Sequence, residues 1–134
     1  MNSRKLIYLI NMVKEKYNLH VVDHGTDIWY NEKRDSKTPQ PLSLWEPHKD
    51  ANQAEECLIA LLESPDNRVV AWEEHGNLDG VAIAPVIKKE DRFETHYTLW
   101  EASAEGKTRA KAICKMVLKF EAYMSEQKEA SLER

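Results

Sequence analysis

Residues 50–64, DANQAEECLIALLES, carry the clearest helix signal in the chain and decide how its neighbours are organised. Asp50 stands where an N-cap is expected, and Gln53 follows three positions later, as in a capping box. The apolar residues recur at spacings of three and four, at Ala54, Cys57, Leu58, Leu61 and Leu62. This spacing puts them on one helix face. The stretch therefore predicts an amphipathic helix that covers another layer of the fold.

Three strand candidates follow this helix: RVVAWEE from Arg68, LDGVAIAPVIK from Leu78 and FETHYTLWE from Phe93. The connections between them are short and polar. We expect antiparallel hairpins, because parallel pairing requires a long crossover. Pro85 interrupts the middle candidate and predicts a bulge or an edge position there.

Residues 105–124, EGKTRAKAICKMVLKFEAYM, predict the final helix. Gly106-Lys107-Thr108 looks like the end of a phosphate-binding loop, but that motif needs a second glycine where this chain has Glu101. We therefore interpret Thr108 as a helix cap. An apolar stripe follows at Ala110, Ile113, Cys114, Val117 and Leu118. The basic residues 107, 109, 111, 115 and 119 lie mostly off this stripe and predict a solvated face, which leaves phosphate contact open as an alternative.

The N-terminal part begins with a helix signal, because Leu6, Ile7, Ile10 and Val13 recur at helical spacing, and Ser3 can cap it. The segment LHVVDHGTDIWY, residues 19–30, then predicts a strand with a turn at Gly25.

Residues 31–47, NEKRDSKTPQPLSLWEP, predict a long extended loop, because they are polar and contain three prolines. Loops of this length are often functional. Basic and aromatic residues lie in it and just before it. We therefore predict a partner- or ligand-binding site formed by Trp29, Tyr30, Lys33, Arg34, Lys37 and Trp45.

Four tryptophans are many for a small chain. Each one fits a core position, but a thin fold cannot readily bury all four. We expect one or two of them to be exposed at a ligand pocket or a subunit contact.

The composition predicts one globular domain over residues 1–124, followed by a polar tail over residues 125–134. The chain of 134 residues is 42% hydrophobic and 31% charged, with a net charge of −4. No overall basic field exists to attract nucleic acid. The N-terminal apolar stretch is too short and interrupted for a signal peptide or a membrane span, so we expect a cytoplasmic protein without a membrane partner.

No residue pattern in the sequence indicates a catalytic or metal-binding site. His20 and His24 have the i, i+4 spacing of some zinc helices, but in a strand their side chains would lie about 13 Å apart. Cys57 and Cys114 lie on apolar stripes, where a thiol is a small hydrophobe. We predict no catalytic residues, no metal and no cofactor. An enzyme with a metal site assembled from distant histidines remains an alternative.

The helix over residues 50–64, the short strands and the segment TRAKAICKMVLKF resemble the phage ABA (α-β-α) sandwich domain family. Ala112-Ile113-Cys114 matches its alanine-isoleucine-cysteine signature, and the similarity covers roughly residues 43–122. The resemblance implies an origin in a phage or prophage and an α-β-α sandwich. It implies no catalytic residues.

The predicted fold is therefore α+β: an α-β-α sandwich with an antiparallel sheet of about four strands and three main helices. Exposed strand edges and spare aromatics favour a homodimer. For function, we expect a non-enzymatic phage accessory protein that binds a host protein or a small ligand in the bacterial cytoplasm, as a counter-defence inhibitor or a sequestering factor. The alternative is a nucleic-acid-associated module of phage replication or regulation.

Overall fold

A computed structural model describes residues 1–22, 27–35, 38–64, 68–88 and 96–132. The described residues contain three α-helices and two antiparallel sheets, of three and four strands. The predicted α+β class, with three main helices and an antiparallel sheet of about four strands, is confirmed. The chain divides into two compact units, the N-terminal unit Met1–Glu46 and the C-terminal unit Pro47–Arg134. The single domain over residues 1–124 stays a prediction.

The described residues of the N-terminal unit form one α-helix, one 3₁₀ helix and one small sheet. Its elements are α1 (Ser3–Met12), β1 (Tyr17–Val22), β2 (Asp27–Glu32), β3 (Gln40–Pro41) and a 3₁₀ helix (Leu42–Leu44). The strands lie in the order β1-β2-β3. The cap of α1 is Asn2 and not Ser3, because the Lys5 amide donates to Asn2 Oδ1 at 2.9 Å. The predicted turn at Gly25, with His24, lies outside the described residues.

The predicted loop over residues 31–47 is only partly a loop. Strand β2 continues to Glu32, Gln40 and Pro41 pair with it, and the 3₁₀ helix follows. A proline can end a sheet at an edge, because an edge strand needs no amide donor on its outer side. Apolar side chains of this unit are buried at Leu6, Leu9, Ile10, Val13, Tyr17, Tyr30, Leu42 and Trp45.

The C-terminal unit begins with α2 (Ala51–Glu63), which forms where the sequence predicts it. The Asp50 side chain accepts hydrogen bonds from the amides of Asn52 at 2.9 Å and Gln53 at 3.1 Å. These bonds satisfy amides that a helix start leaves without partners. Four residues of the predicted stripe are buried: Ala54, Cys57, Leu58 and Leu61.

The four-stranded sheet is built around β5. Its strands are β4 (Val69–Asn77), β5 (Gly80–Lys88), β6 (His96–Thr98) and β7 (Ala104–Gly106). Strand β5 pairs antiparallel with β4 on one side and with β6 and β7 on the other. The antiparallel hairpin predicted for the first two strand candidates is confirmed. Of the described residues of the third candidate, only His96–Thr98 form a strand; its predicted end is wrong, because a 3₁₀ helix over Trp100–Ala102 begins there.

Pro85 lies in the central strand opposite Trp72, so the predicted edge position is wrong. The bulge lies in the partner strand β4, between Val69 and Ala71. The Pro85 carbonyl accepts from the Leu99 amide at 2.8 Å. In a strand, the nitrogen and oxygen of a residue point to the same side. The Pro85 nitrogen therefore faces the gap between β6 and β7, where no strand of the described sheet requires a donor.

The last helix, α3 (Arg109–Leu132), contacts α2, β5 and β7. Thr108 caps it, since its Oγ accepts from the Lys111 amide at 3.2 Å. Its buried side chains are Ala110, Ala112, Ile113, Cys114, Met116, Val117 and Phe120. Four residues of the predicted apolar stripe thus lie in the core, and the fifth, Leu118, is half-buried. Among the described residues, no helix combines the length and apolarity needed to cross a bilayer.

Candidate functional site: an exposed tryptophan on the three-stranded sheet

Trp29 and Tyr30 are neighbours in β2 but lie on opposite faces of the sheet, because successive strand residues alternate. Tyr30 is buried at 8% exposure and makes an edge-to-face contact with Tyr17, with ring centroids 5.9 Å apart. Trp29 keeps 38% of its surface exposed. Tyr30 therefore supports the core, and Trp29 is the aromatic side chain that can meet a partner.

Trp29 is the middle of a row that crosses all three strands. It pairs with His20 of β1 on one side and with Pro41 of β3 on the other. Directly opposed residues share a sheet face, so the three side chains form one ridge. His20 Nε2 lies 2.8 Å from Asn31 Oδ1, and Asn31 belongs to the same face. This hydrogen bond holds the imidazole in its place in the ridge.

A groove of about 290 Å³ lies beside the ridge. It is lined by Ser3, Ile7, Asp27, Ile28, Trp29, Pro41, Leu42 and Ser43. Five of these residues are apolar and three are polar, and the volume is near the lower end for ligand pockets. Strand β3 pairs only with Trp29 and Tyr30, so the described strands leave the outer edge of β2 unpaired at Asp27 and Ile28. The groove can hold one bulky side chain with a short length of its backbone.

The other predicted binding residues divide between surface and core. Lys33 and Arg34 are exposed in the turn that follows β2, and the Lys33 amide anchors this turn on the Lys16 carbonyl at 3.0 Å. Lys37 lies outside the described residues. Trp45 is fully buried, with an edge-to-face contact to Tyr17 at 5.9 Å. Trp29, Lys33 and Arg34 thus belong to the surface of the N-terminal unit, whereas Tyr30 and Trp45 belong to its core.

Several basic side chains of α3 form ion pairs or hydrogen bonds with other residues of the C-terminal unit. Arg109 forms ion pairs with Glu55 and Glu74. Lys115 Nζ donates to the Glu105 carbonyl at 3.2 Å, and Lys119 Nζ donates to the Ser103 carbonyl at 2.9 Å. A phosphate would have to compete with these contacts. The arrangement therefore weakens the case for this face as a nucleic-acid site.

The cysteines do not form a reactive site. Both Cys57 and Cys114 are fully buried in the packed α2 and α3 helices. Burial raises the pKa of Cys114 to about 12 and also raises the pKa of Cys57. A neutral, enclosed thiol is a poor nucleophile. Within the described ranges, no group of three or more His, Cys, Asp or Glu residues could hold a metal ion.

Sequence reasoning did not place His20 and Pro41 beside Trp29. The sequence shows which residues of β2 share a face. It does not show their neighbours in the adjacent strands, because those depend on the hairpin register, which the turn and the opposing strands set together. The expectation of one or two exposed tryptophans is confirmed, since Trp29 and Trp100 are exposed at 38% and 53%.

The fold and this surface define a small α+β protein with an exposed aromatic ridge and an adjoining groove. No protein-family model, no curated protein and no solved structure matches the chain. The resemblance to the phage ABA sandwich family stays a prediction.

Proposed function

We propose that this chain is a non-catalytic accessory protein of a phage or prophage, which binds a host protein in the bacterial cytoplasm. Binding would inhibit or sequester that host protein, as expected of a counter-defence factor. The observation that carries the proposal is the exposed Trp29, flanked by His20 and Pro41 and next to the groove. An exposed tryptophan costs solubility, and partner contacts are where tryptophan is enriched.

A protein partner suits this surface better than a free small molecule. The groove adjoins an exposed ridge, and the turn with Lys33 and Arg34 follows the same strand. A partner can therefore insert one bulky side chain beside Trp29 and place acidic groups near the turn. A small ligand would fill the groove but would leave the ridge and the turn in water.

The experiment compares co-purification of host proteins with the wild-type chain and with Trp29→Ala. If Trp29 is a binding hot spot, its truncation costs about 2 kcal/mol, which is roughly a thirtyfold loss of affinity. Val21→Ala is the matched control, because Val21 is 65% exposed and lies on the other face of the same sheet. The control should retain the partner. Equal capture by Trp29→Ala and wild type would reject the proposal.

Arg34→Ala tests the turn separately. Arg34 is exposed, so its removal should leave folding intact and should weaken binding mainly at low salt. Mass spectrometry of the released material distinguishes a protein from a small ligand.

The alternative is a nucleic-acid-associated module. It predicts a complex that forms at low salt and weakens steeply as salt rises. Nuclease treatment before co-purification separates the two functions, because a protein partner bound at Trp29 stays bound after the nucleic acid is removed.

A further inference from the structure

A second exposed cluster lies on the four-stranded sheet, and the binding function proposed above does not use it. It consists of Glu73 and His75 in β4, Thr98 at the end of β6, and Trp100 in a 3₁₀ helix (Trp100–Ala102). The sheet register places Glu73 opposite Ala84 and His75 opposite Ala82. These small residues of β5 leave room for long side chains from both sides.

The Glu73 carboxylate is held in one orientation by two neighbours. Thr98 Oγ donates to Glu73 Oε2 at 2.8 Å, across the strand that carries Ala84. His75 Nε2 lies 3.0 Å from Glu73 Oε1. The Thr98 and His75 hydrogen bonds lower the pKa of Glu73, so the group is a carboxylate at neutral pH. Each carboxylate oxygen has a second lone pair, and 39% of the side chain is exposed to solvent.

Trp100 supplies an aromatic plane that His75 links to this carboxylate, since the imidazole contacts both groups. Its ring stacks on His75, with centroids 6.2 Å apart and an interplanar angle of 28°. Trp100 keeps 53% of its surface exposed. One side of the ring is thus supported by the imidazole, while much of its surface can receive a further planar group.

An ionised carboxylate next to an exposed indole is the combination that binds a guanidinium group. Arginine stacks on an aromatic plane and donates two parallel hydrogen bonds to a carboxylate, which a lysine ammonium cannot do. The surroundings favour a cation, since Glu101 follows Trp100 and acidic residues outnumber basic ones in the C-terminal unit. A free amino acid is less suitable, because its own carboxylate would approach Glu73 and Glu101.

We propose that Glu73, His75 and Trp100 form a receptor for the arginine side chain of a partner protein. The guanidinium stacks on Trp100 and bridges to Glu73, while Thr98 positions the carboxylate. This surface is independent of the Trp29 ridge, so either proposal can fail without the other.

The test uses acetyl-arginine amide as the probe, followed through the indole Nε1–H signals of the folded chain in two-dimensional NMR. A saturable shift of the Trp100 signal is expected at millimolar or higher probe concentrations, because an exposed cation–π contact and an exposed ion pair are both weak. Acetyl-lysine amide should bind several-fold more weakly. Acetyl-citrulline amide has the same shape without the charge and should produce no saturable shift. Free L-arginine should bind more weakly than the blocked amide.

Two variants make the assignment specific. Glu73→Gln removes the charge and should weaken the response at least fivefold, whereas Trp29→Phe alters the other surface and should leave the Trp100 response unchanged. Thr98→Val should weaken arginine binding less than Glu73→Gln, since Thr98 acts only through the carboxylate. Equal responses to arginine and citrulline, or the absence of a saturable Trp100 shift, would overturn the proposal.

Discussion

Arg109 and Glu74 form a bidentate ion pair that joins the first residue of α3 to β4. Arg109 Nη2 donates to Glu74 Oε1 at 2.8 Å, and Arg109 Nε donates to Glu74 Oε2 at 3.1 Å. Arg109 Nη1 also contacts Glu55 of α2, and Trp72 Nε1 donates to Glu74 Oε1 at 2.7 Å. One guanidinium therefore connects both helices of the C-terminal unit to the sheet.

Replacing Arg109 should destabilise the C-terminal unit. We expect Arg109→Ala to lower the free energy of unfolding by about 1 kcal/mol, because the pair is only partly buried and two carboxylates lose their shared cation. Arg109→Lys should recover part of this loss, since lysine keeps the positive charge but cannot make the bidentate contact. Urea denaturation measures both. Lys107→Ala, an exposed neighbour in sequence, is the control; an equal loss in that variant would contradict the assignment.

The contribution of this ion pair should depend on pH. The hydrogen bonds from Arg109 hold the pKa of Glu74 below its ordinary value. A carboxyl whose pKa is lower in the folded state stabilises the fold above its unfolded pKa, which is about 4.3 for glutamate, and this stability is lost as pH falls through the folded pKa. The difference in unfolding free energy between wild type and Arg109→Ala should therefore be full at pH 7 and should shrink below pH 4, in urea titrations at several pH values. A constant difference over this range would contradict the pair.

The cysteines should be inert in the native protein. Burial raises the pKa of Cys114 to about 12, and it is the thiolate form that attacks a thiol reagent. We expect labelling by a thiol reagent at pH 8 to be at least about a hundredfold slower in the native chain than in urea. The variant Cys57→Ala assigns any residual signal to Cys114. Rapid stoichiometric labelling without denaturant would show that this core opens or is absent.

Gly106 should not tolerate a side chain. A Cβ atom there would lie 2.6 Å from the Ala112 amide nitrogen and 2.9 Å from Lys111 Cβ. The backbone of α3 would have to move, so Gly106→Ala should cost about 1–3 kcal/mol of stability. Gly76→Ala is the matched control, because a Cβ at Gly76 meets no atom within 4 Å. Thermal unfolding of the two variants compares them directly, and similar melting temperatures would contradict the close contact.

Gly80 lies against Gly106, so a substitution at Gly80 tests the same close contact. Its φ is +152°, and a Cβ atom would clash with the Gly106 carbonyl oxygen. Gly80→Ala should therefore destabilise at least as much as Gly106→Ala, since backbone conformation and space both oppose a side chain.

Substitution of Trp45 should affect stability, whereas substitution of Trp29 should affect partner binding. Trp45 is fully buried, so Trp45→Ala should cost about 3–5 kcal/mol of stability, and Trp45→Phe considerably less. Trp29→Ala should change stability little and affect partner binding. Chemical denaturation measures the first effect and co-purification the second. A large loss of stability in Trp29→Ala would mean that this side chain supports the core instead of a partner.

Local sequence patterns determined the helices and most strands of this protein. The cap at Asp50, the stripe from Ala54 to Leu61 and the cap at Thr108 form as predicted, because capping and helical periodicity depend on residues within one or two turns. The antiparallel pairing of β4 and β5 could also be predicted from local sequence, because the connection between them is too short for a parallel crossover.

The tertiary structure decided which tryptophans reach the surface and what surrounds them. The sequence indicated that one or two of four would be exposed, but Trp29 and Trp45 differ in burial only because strand pairing turns one outward and core packing encloses the other. The contacts of Glu73 with Thr98 and of Trp29 with Pro41 likewise join residues far apart in sequence. Such contacts depend on register between strands, and register is set by many weak interactions acting together.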